Sequence, residues 1–113
     1  MLPVAVDAAK LLKAQGVALR VYNMHTIKPL DIVAITCAAT ECGVILTLEE
    51  ENIIGGLGGA VAEYIVEQGL SCRFKRLGVP DTYGTGTGRQ AWLHTQYGID
   101  AASVVETVKG MLK

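Results

Sequence analysis

The sequence predicts an α/β fold in which a mostly parallel sheet is covered by helices on both faces. Short runs rich in Val, Ile and Leu alternate with longer segments whose apolar residues recur at helical spacing. Strands joined by helices of ten or more residues form right-handed crossovers, and such a sheet is buried on both faces. Half of the 113 residues are hydrophobic, which suffices for one core and hardly for two. We therefore expect one three-layer α/β/α domain over residues 1–113.

The first half of the chain is predicted to run helix, strand, helix, strand. The first helix covers residues 3–15, with Pro3 in its first turn and Gly16 as its left-handed stop. The β-branched and aromatic run at 17–24 is predicted to be a mostly buried strand. Asp31 suits the N-cap of the next helix and Gly43 its exit, and the apolar run "VILTLEE" that follows is a second buried strand.

The second half is predicted to run helix, strand, helix, helix. "GGAVAEYIVEQG" is a helix, and "CRFKRLGV" is a strand in which apolar residues alternate with Arg73 and Lys75. That alternation indicates one wetter face, as at a sheet edge. "RQAWLHTQYG" and "DAASVVETVKGMLK" are helices, the second capped by Asp100.

The chain opens on a helix, although an α/β unit normally opens on a strand. Either the sheet has only three strands, or a strand that belongs before Met1 is absent. An absent strand would leave backbone groups of its neighbours unpaired, so we expect such a fragment to self-associate.

Composition excludes several classes of partner. Ten basic and eleven acidic residues give a formal charge of −1 without a long block of either sign, which disfavours nucleic acid and anionic membranes. The three cysteines lack a C-x-x-C pairing, which favours reduced thiols in a cytoplasmic protein. No signal or membrane segment is predicted at the N-terminus.

A candidate ligand or interface edge lies at the carboxyl ends of the predicted strands, where the functional crevice of an open parallel sheet is found. It consists of His25, Glu49, Glu50, Asn52 and Asp81. Any one of these residues could equally be an ordinary solvated loop residue, because position alone is weak evidence.

Two glycine-rich segments invite a phosphate-binding interpretation. In "NIIGGLGGAV" the dinucleotide pattern needs glycine at position 61, where Val61 stands, and the three acids upstream would repel phosphate. We therefore expect these glycines to be structural, with Gly58 or Gly59 packed against the sheet where the helix begins. "YGTGTGRQ" is a candidate anion loop through Gly86, Gly88 and Arg89, although it lacks the Lys-Ser/Thr ending of a P-loop. No metal-ligand spacing is evident around either histidine, so no metal site is predicted.

Three segments together resemble the C-terminal domain of transketolase and related thiamine-diphosphate enzymes. They are "RVYNMHTIKPLD", "ILTLEEENIIGGLGGAVAEYI" and "RLGVPDTYGTGTG…QYGID", and both their order and their spacing fit that family. The resemblance covers nearly the whole chain and is strongest to split transketolases, in which this domain belongs to a separate C-terminal subunit. Glu51 departs from the pattern, because many relatives have His there in "EEHN", and any role of that His is not carried over.

The resemblance implies a non-catalytic structural and assembly domain of an enzyme that moves two-carbon ketol units between sugar phosphates, in pentose phosphate metabolism. In transketolases, thiamine diphosphate and Mg²⁺ bind between the N-terminal and middle domains of two subunits, through a "GDG…N" motif and an activating Glu that this chain lacks. We therefore expect no catalytic or cofactor-binding residue here and an inactive isolated chain. Expected partners are the N-terminal and middle domains, or the subunit that carries them, and further copies of the chain in a homo-oligomer.

The resemblance also implies a mixed five-stranded sheet, with a central strand ending in an "ATGS"-like turn before the helix that begins here at Met1. Two alternatives stay open. One is another thiamine-diphosphate enzyme, such as a 2-oxoacid dehydrogenase β subunit or a deoxyxylulose-phosphate synthase. The other is a free-standing ligand-binding or assembly module.

Overall fold

The computed structural model describes residues 1–82 and 88–113. Its elements alternate as the sequence predicts, with one exception given below. The helices are α1 (Leu2–Lys13), α2 (Ile32–Glu41), α3 (Leu57–Glu67), α4 (Gln90–Gln96) and α5 (Ala101–Met111), and the strands are β1 (Val44–Asn52) and β2 (Arg73–Val79).

The sheet consists of β1 and β2, which pair in parallel. Val44 lies opposite Arg73, and the register continues without interruption to Leu48 opposite Leu77. It then shifts, so that Asn52 lies opposite Val79. This irregularity falls at the carboxyl end of β1, where the run of acids lies.

Helices cover both faces of this sheet, which confirms the predicted three layers. On one face, Ala8 and Leu12 of α1 pack with valines of α5 against Leu46, Leu48 and Leu77 of the strands. On the other face, Ile35 of α2 and Val61 of α3 pack against Ile45 and Phe74. No helix within residues 1–82 and 88–113 is long and apolar enough to cross a lipid bilayer.

The strand predicted at residues 17–24 is absent from the described structure, so that prediction is wrong. The segment follows α1 directly, through a hydrogen bond from the Val17 amide to the Leu12 carbonyl. Beyond it, residues 18–26 form no backbone hydrogen bond within the described parts of the chain. The physical reason is that a β-branched run becomes a strand only where a neighbour offers pairing groups, and no described segment pairs with it.

β2 has one wet face, as predicted for a strand at the edge of a sheet. Arg73 and Lys75 are exposed, whereas Phe74 is half-buried against the α2 and α3 side. The Arg73 guanidinium donates to the carbonyls of Met111 (2.6 Å) and Lys113 (2.9 Å), and so caps the end of α5.

The predicted helix boundaries are confirmed where a cap or a stop fixes them. Asp31 accepts a hydrogen bond from the Ala34 amide at 3.1 Å, and Asp100 accepts one from the Ser103 amide at 2.9 Å. Gly16 and Gly43 have φ values of 82° and 72°, a conformation that side chains disfavour. Local signals therefore placed these ends correctly.

Replacing Asp100 with Ala is expected to destabilise the fold by about 1 kcal/mol, because the Ser103 amide loses its acceptor. Asp100→Asn keeps an acceptor oxygen and should retain most of the stability. Hydrogen bonds from Ser103 and Thr95 hold the pKa of Asp100 below its ordinary value. The difference between wild type and Asp100→Asn should therefore be present at neutral pH and vanish as pH falls through that lowered pKa. Urea unfolding across a pH series measures the stability of each variant and its pH dependence. Equal stability of wild type, Asp100→Ala and Asp100→Asn would contradict the capping role.

Candidate functional site

The polar residues at the carboxyl end of the sheet lie together. Glu49, Glu50 and Asn52 end β1, and Asp81 follows β2 by two residues. The Asn52 side-chain amide donates to the Asp81 carboxylate at 3.1 Å, while the Asn52 side-chain oxygen accepts from the Ile54 amide at 2.8 Å. The two strand ends are thus joined through Asn52.

Glu49 is buried and caps the N-terminus of α3. Its two carboxylate oxygens accept hydrogen bonds from the amides of Leu57 (3.0 Å) and Gly58 (2.7 Å). The first amides of a helix have no partner within the helix, and a negative charge is favoured there. Gly56 at the N-cap position has no side chain to do this, so a residue from the neighbouring strand does it. Glu49 is only 7% exposed, and its carboxylate is engaged by α3.

Three glycines make room for this carboxylate and for the helix behind it. A Cβ at Gly56 would overlap the Glu49 carboxylate, and one at Gly78 of β2 would lie 2.9 Å from the Glu49 Cγ. A Cβ at Gly58 would lie 2.7 Å from the Arg76 Cδ and 2.8 Å from the Thr47 hydroxyl oxygen. Gly58 is therefore packed against the sheet as predicted, whereas a Cβ at Gly59 meets no atom within 4 Å.

Gly58→Ala is expected to lower the free energy of unfolding by about 1 to 3 kcal/mol, because Arg76 and Thr47 must shift to admit a methyl group. Gly59→Ala is the matched control. It adds the same methyl group one residue later into open space, and it should be neutral or stabilising by up to about 1 kcal/mol, since Ala favours a helix over Gly. Thermal unfolding compares the melting temperatures of Gly58→Ala and Gly59→Ala, and identical values would refute the packing role of Gly58.

Glu50 holds α4 to the end of β1. Its carboxylate accepts hydrogen bonds from the Gln90 amide and from the His94 ring, whose Nε2 lies 2.7 Å from Oε1. Gln90 and His94 are four residues apart and so lie on the same side of the helix. The His94 side chain is 12% exposed and that of Glu50 41%, so the contact is partly shielded from water. The hydrogen bonds from Gln90 and His94 hold the pKa of Glu50 below its ordinary value.

The attachment of α4 should depend on pH. The pKa of Glu50 is lowered in the folded state. The stabilisation that its carboxylate gives to α4 is therefore complete above the ordinary pKa of a glutamate and is lost as pH falls through the lowered pKa. NMR shifts of the α4 amides should then change at acid pH in wild type. Glu50→Gln should show already at neutral pH the shifts that wild type reaches in acid. Glu106→Gln, which alters an exposed acid of α5, serves as the control; an identical acid transition in wild type and Glu50→Gln would exclude this role.

His25 and Glu49 both line a cavity of about 450 Å³ that separates residues 19–25 from β1. We call this cavity the slot. Glu51 also lines it, while the ring Nδ1 of His25 lies 2.8 Å from the Thr26 hydroxyl. Glu49, Glu50, Asn52 and Asp81 therefore lie at the carboxyl ends of the two strands. His25 lines the slot, and within the described residues no direct contact joins it to the acids.

The candidate anion loop is only partly described. Gly86 lies outside the described residues. Gly88 and Arg89 are exposed and lead into α4, and a Cβ at Gly88 would lie 2.7 Å from the Trp92 ring. The Trp92 ring leaves no room for a side chain at position 88, which accounts for the glycine there.

The sequence did not reveal His94 and Gln90 as partners of Glu50. It also did not reveal Arg76, which donates to the Ile53 carbonyl at 2.9 Å and so holds the glycine-rich turn in place. The four-residue spacing of Gln90 and His94 on a predicted helix was the one signal that could have drawn attention to them. Within residues 1–82 and 88–113, no group of three His, Cys, Asp or Glu side chains could hold a metal ion.

The comparison with solved structures establishes the class of domain. A structure titled "Split gene transketolase, inactive beta4 tetramer" aligns with a TM-score of 0.86 and 37% sequence identity, over 97% of this chain and 34% of that one. The fold is therefore that of a transketolase domain. The family described as "Transketolase, C-terminal domain" matches residues 1–104. The chain belongs to this family, as the resemblance predicted.

Curated relatives carry two kinds of name. A putative transketolase C-terminal section from Methanocaldococcus jannaschii is 36% identical over 98% of this chain, and a subunit of apulose-4-phosphate transketolase from Actinobacillus succinogenes is 38% identical over 89%. A 1-deoxy-D-xylulose-5-phosphate synthase from Chlorobium phaeovibrioides is 36% identical over 96% of this chain. The chain spans 34%, 32% and 17% of these three relatives, respectively.

Proposed function

We propose that this chain is the non-catalytic C-terminal domain of a transketolase that moves two-carbon ketol units between sugar phosphates, in pentose phosphate metabolism. The proposal rests on one observation, that the polar side chains at the strand ends bind other segments of the same domain. Glu49 caps α3, Glu50 holds α4 and Asn52 joins Asp81, so the edge that would serve a substrate is engaged in holding the domain together.

Transketolase-family enzymes depend on thiamine diphosphate, but the described residues do not fit that cofactor with its Mg²⁺. The edge presents Glu50, Glu51 and Asp81, whose charges repel a diphosphate. The buried Glu49 carboxylate already binds two amides. We therefore place the cofactor in other domains and assign this domain a role in assembly.

The expected partners are the N-terminal and middle domains, or a subunit that carries them, together with further copies of this chain. Support comes from the split organisation and tetrameric assembly named for the structural neighbour. A cytoplasmic location accords with the free thiols of Cys37, Cys42 and Cys72.

A second candidate is the same domain of a 1-deoxy-D-xylulose-5-phosphate synthase. Several relatives with that name match at 36% to 39% identity, which is as high as the matches to transketolase sections. The residues of the edge do not separate the two enzymes, since in both cases the domain would have no catalytic group.

The isolated chain is expected to bind neither thiamine diphosphate nor Mg²⁺. Calorimetric titration with both should give no saturable heat, and a saturable signal in the micromolar range would contradict the proposal.

Reconstitution distinguishes the two enzymes. The chain is mixed with the polypeptide from the same organism that carries the N-terminal and middle domains of its enzyme, and the complex is assayed for ketol transfer between sugar phosphates and for formation of 1-deoxy-D-xylulose 5-phosphate. Ketol transfer alone supports the proposal and synthase activity alone supports the second candidate. A stable complex with neither activity would contradict both.

A further inference from the structure

The helix α4 is attached to the domain in a different way from the other helices. Each of α1, α2, α3 and α5 contributes buried side chains to one of the two apolar clusters that cover the sheet. Within the described residues, no residue of α4 is buried and none belongs to either cluster. Trp92 is 47% exposed and Leu93 is half-buried. Burial of apolar surface therefore holds α4 less firmly than it holds the other helices.

Hydrogen bonds to one carboxylate take the place of that burial. Glu50 accepts from Gln90, the first residue of α4, and from His94 in its last turn. We call these two hydrogen bonds the α4 contact. Within residues 1–82 and 88–113, the other side-chain hydrogen bonds of α4 join Thr95 to the Ala91 carbonyl and to Asp100, and none of them reaches the sheet. Glu50 is thus the polar link between α4 and the sheet.

A helix as short as α4 does not persist once it is detached. It has seven residues, and isolated helices shorter than about 12 residues are unstable in water. The hydrogen bonds from the Leu93 amide to the Arg89 carbonyl (3.1 Å) and from the Tyr97 amide to the Leu93 carbonyl (3.0 Å) should therefore break when the α4 contact breaks. By contrast, α5 has its own cap in Asp100 and its own valines in the core, so it does not depend on α4.

We propose that α4 opens and closes as a unit while the rest of the domain stays folded, and that the α4 contact sets this equilibrium. Elements with few buried apolar contacts are those that open locally in proteins. In the closed state the Glu50 carboxylate is bound by α4. In the open state it is free at the end of β1, where Asn52 and Asp81 also lie. The strand end therefore has two states, which differ in whether the Glu50 carboxylate is available.

Amide hydrogen exchange of the chain of residues 1–113, followed by NMR, measures this opening. The amides of Leu93 and Tyr97 in α4 should be protected at least about tenfold less than those of Val104 and Val108 in α5, because α4 opens without the core. Equal protection in the two helices would show that α4 opens only when the whole domain unfolds, and would overturn the proposal.

His94→Ala separates the α4 contact from the intrinsic stability of the helix. The substitution removes a donor to Glu50, but it also raises helix propensity, because Ala is the best helix former. The protection of α4 relative to α5 should fall by about three- to tenfold. Gln96→Ala is the matched control, since it raises propensity at an exposed position of the same helix that is not bonded to Glu50, and it should not lower this ratio.

A ratio of α4 to α5 protection is used because a general loss of stability lowers both terms and does not imitate a loss of the α4 contact. An unchanged or higher ratio in His94→Ala would mean that α4 is stabilised by its own propensity, and would contradict the proposal.

Trp92 provides an independent readout, because it is the single tryptophan of the sequence and its ring packs on Gly88 at the start of α4. In urea, its fluorescence should change at a lower concentration than the far-UV circular dichroism, which reports all helices. Glu50→Ala should shift the fluorescence transition further down without an equal shift in the dichroism. Glu106→Ala, at an exposed acid of α5, should change neither transition. Coincident transitions in wild type would contradict an independent opening of α4. None of these results bears on which enzyme the chain belongs to.

Discussion

The buried Glu49 carboxylate is the interaction on which the carboxyl end of this domain depends. A carboxylate at the end of a strand is normally available to solvent or ligand, but this one binds the two first free amides of α3. Burying a charge is unfavourable unless donors surround it, and the unsatisfied amides and dipole of a helix start supply them. The helix and the strand therefore fix one another, and the glycines at positions 56, 58 and 78 are the space that this arrangement requires.

A second layer of contacts extends from the same strand. Glu50, next to Glu49, points to the other side of the sheet edge and holds α4, and Asn52 reaches Asp81. Three residues of one strand, Glu49, Glu50 and Asn52, thus bind three different segments. Glu49 and Glu50 of the acidic run are explained by what each side chain binds, in a chain that belongs to the family of transketolase C-terminal domains.

The sequence predicted correctly those features that depend on residues close together in the chain. Asp31, Asp100, Gly16 and Gly43 marked helix ends correctly because caps and left-handed stops act within a few residues. Residues 17–24 had the composition of a strand, yet pairing depends on a neighbour that composition does not reveal. The partners of Glu49 and Glu50 lie 8 to 44 residues away, so their roles became visible only once the chain was folded. Close packing at Gly58 or Gly59 was predicted because a helix start beside a sheet leaves little room for a side chain, and the structure selects Gly58.

The two edges of the sheet differ in a way that bears on how the protein avoids aggregation. Exposed β-edges recruit one another and can propagate into fibrils, and lysine or arginine on an edge is a common safeguard. β2 has this safeguard in Arg73 and Lys75. The apolar edge of β1 has no such charge at its centre, but it faces residues 19–25 across the slot. The two edges are therefore shielded by different parts of the chain, β2 by the charge of its own side chains and β1 by residues 19–25.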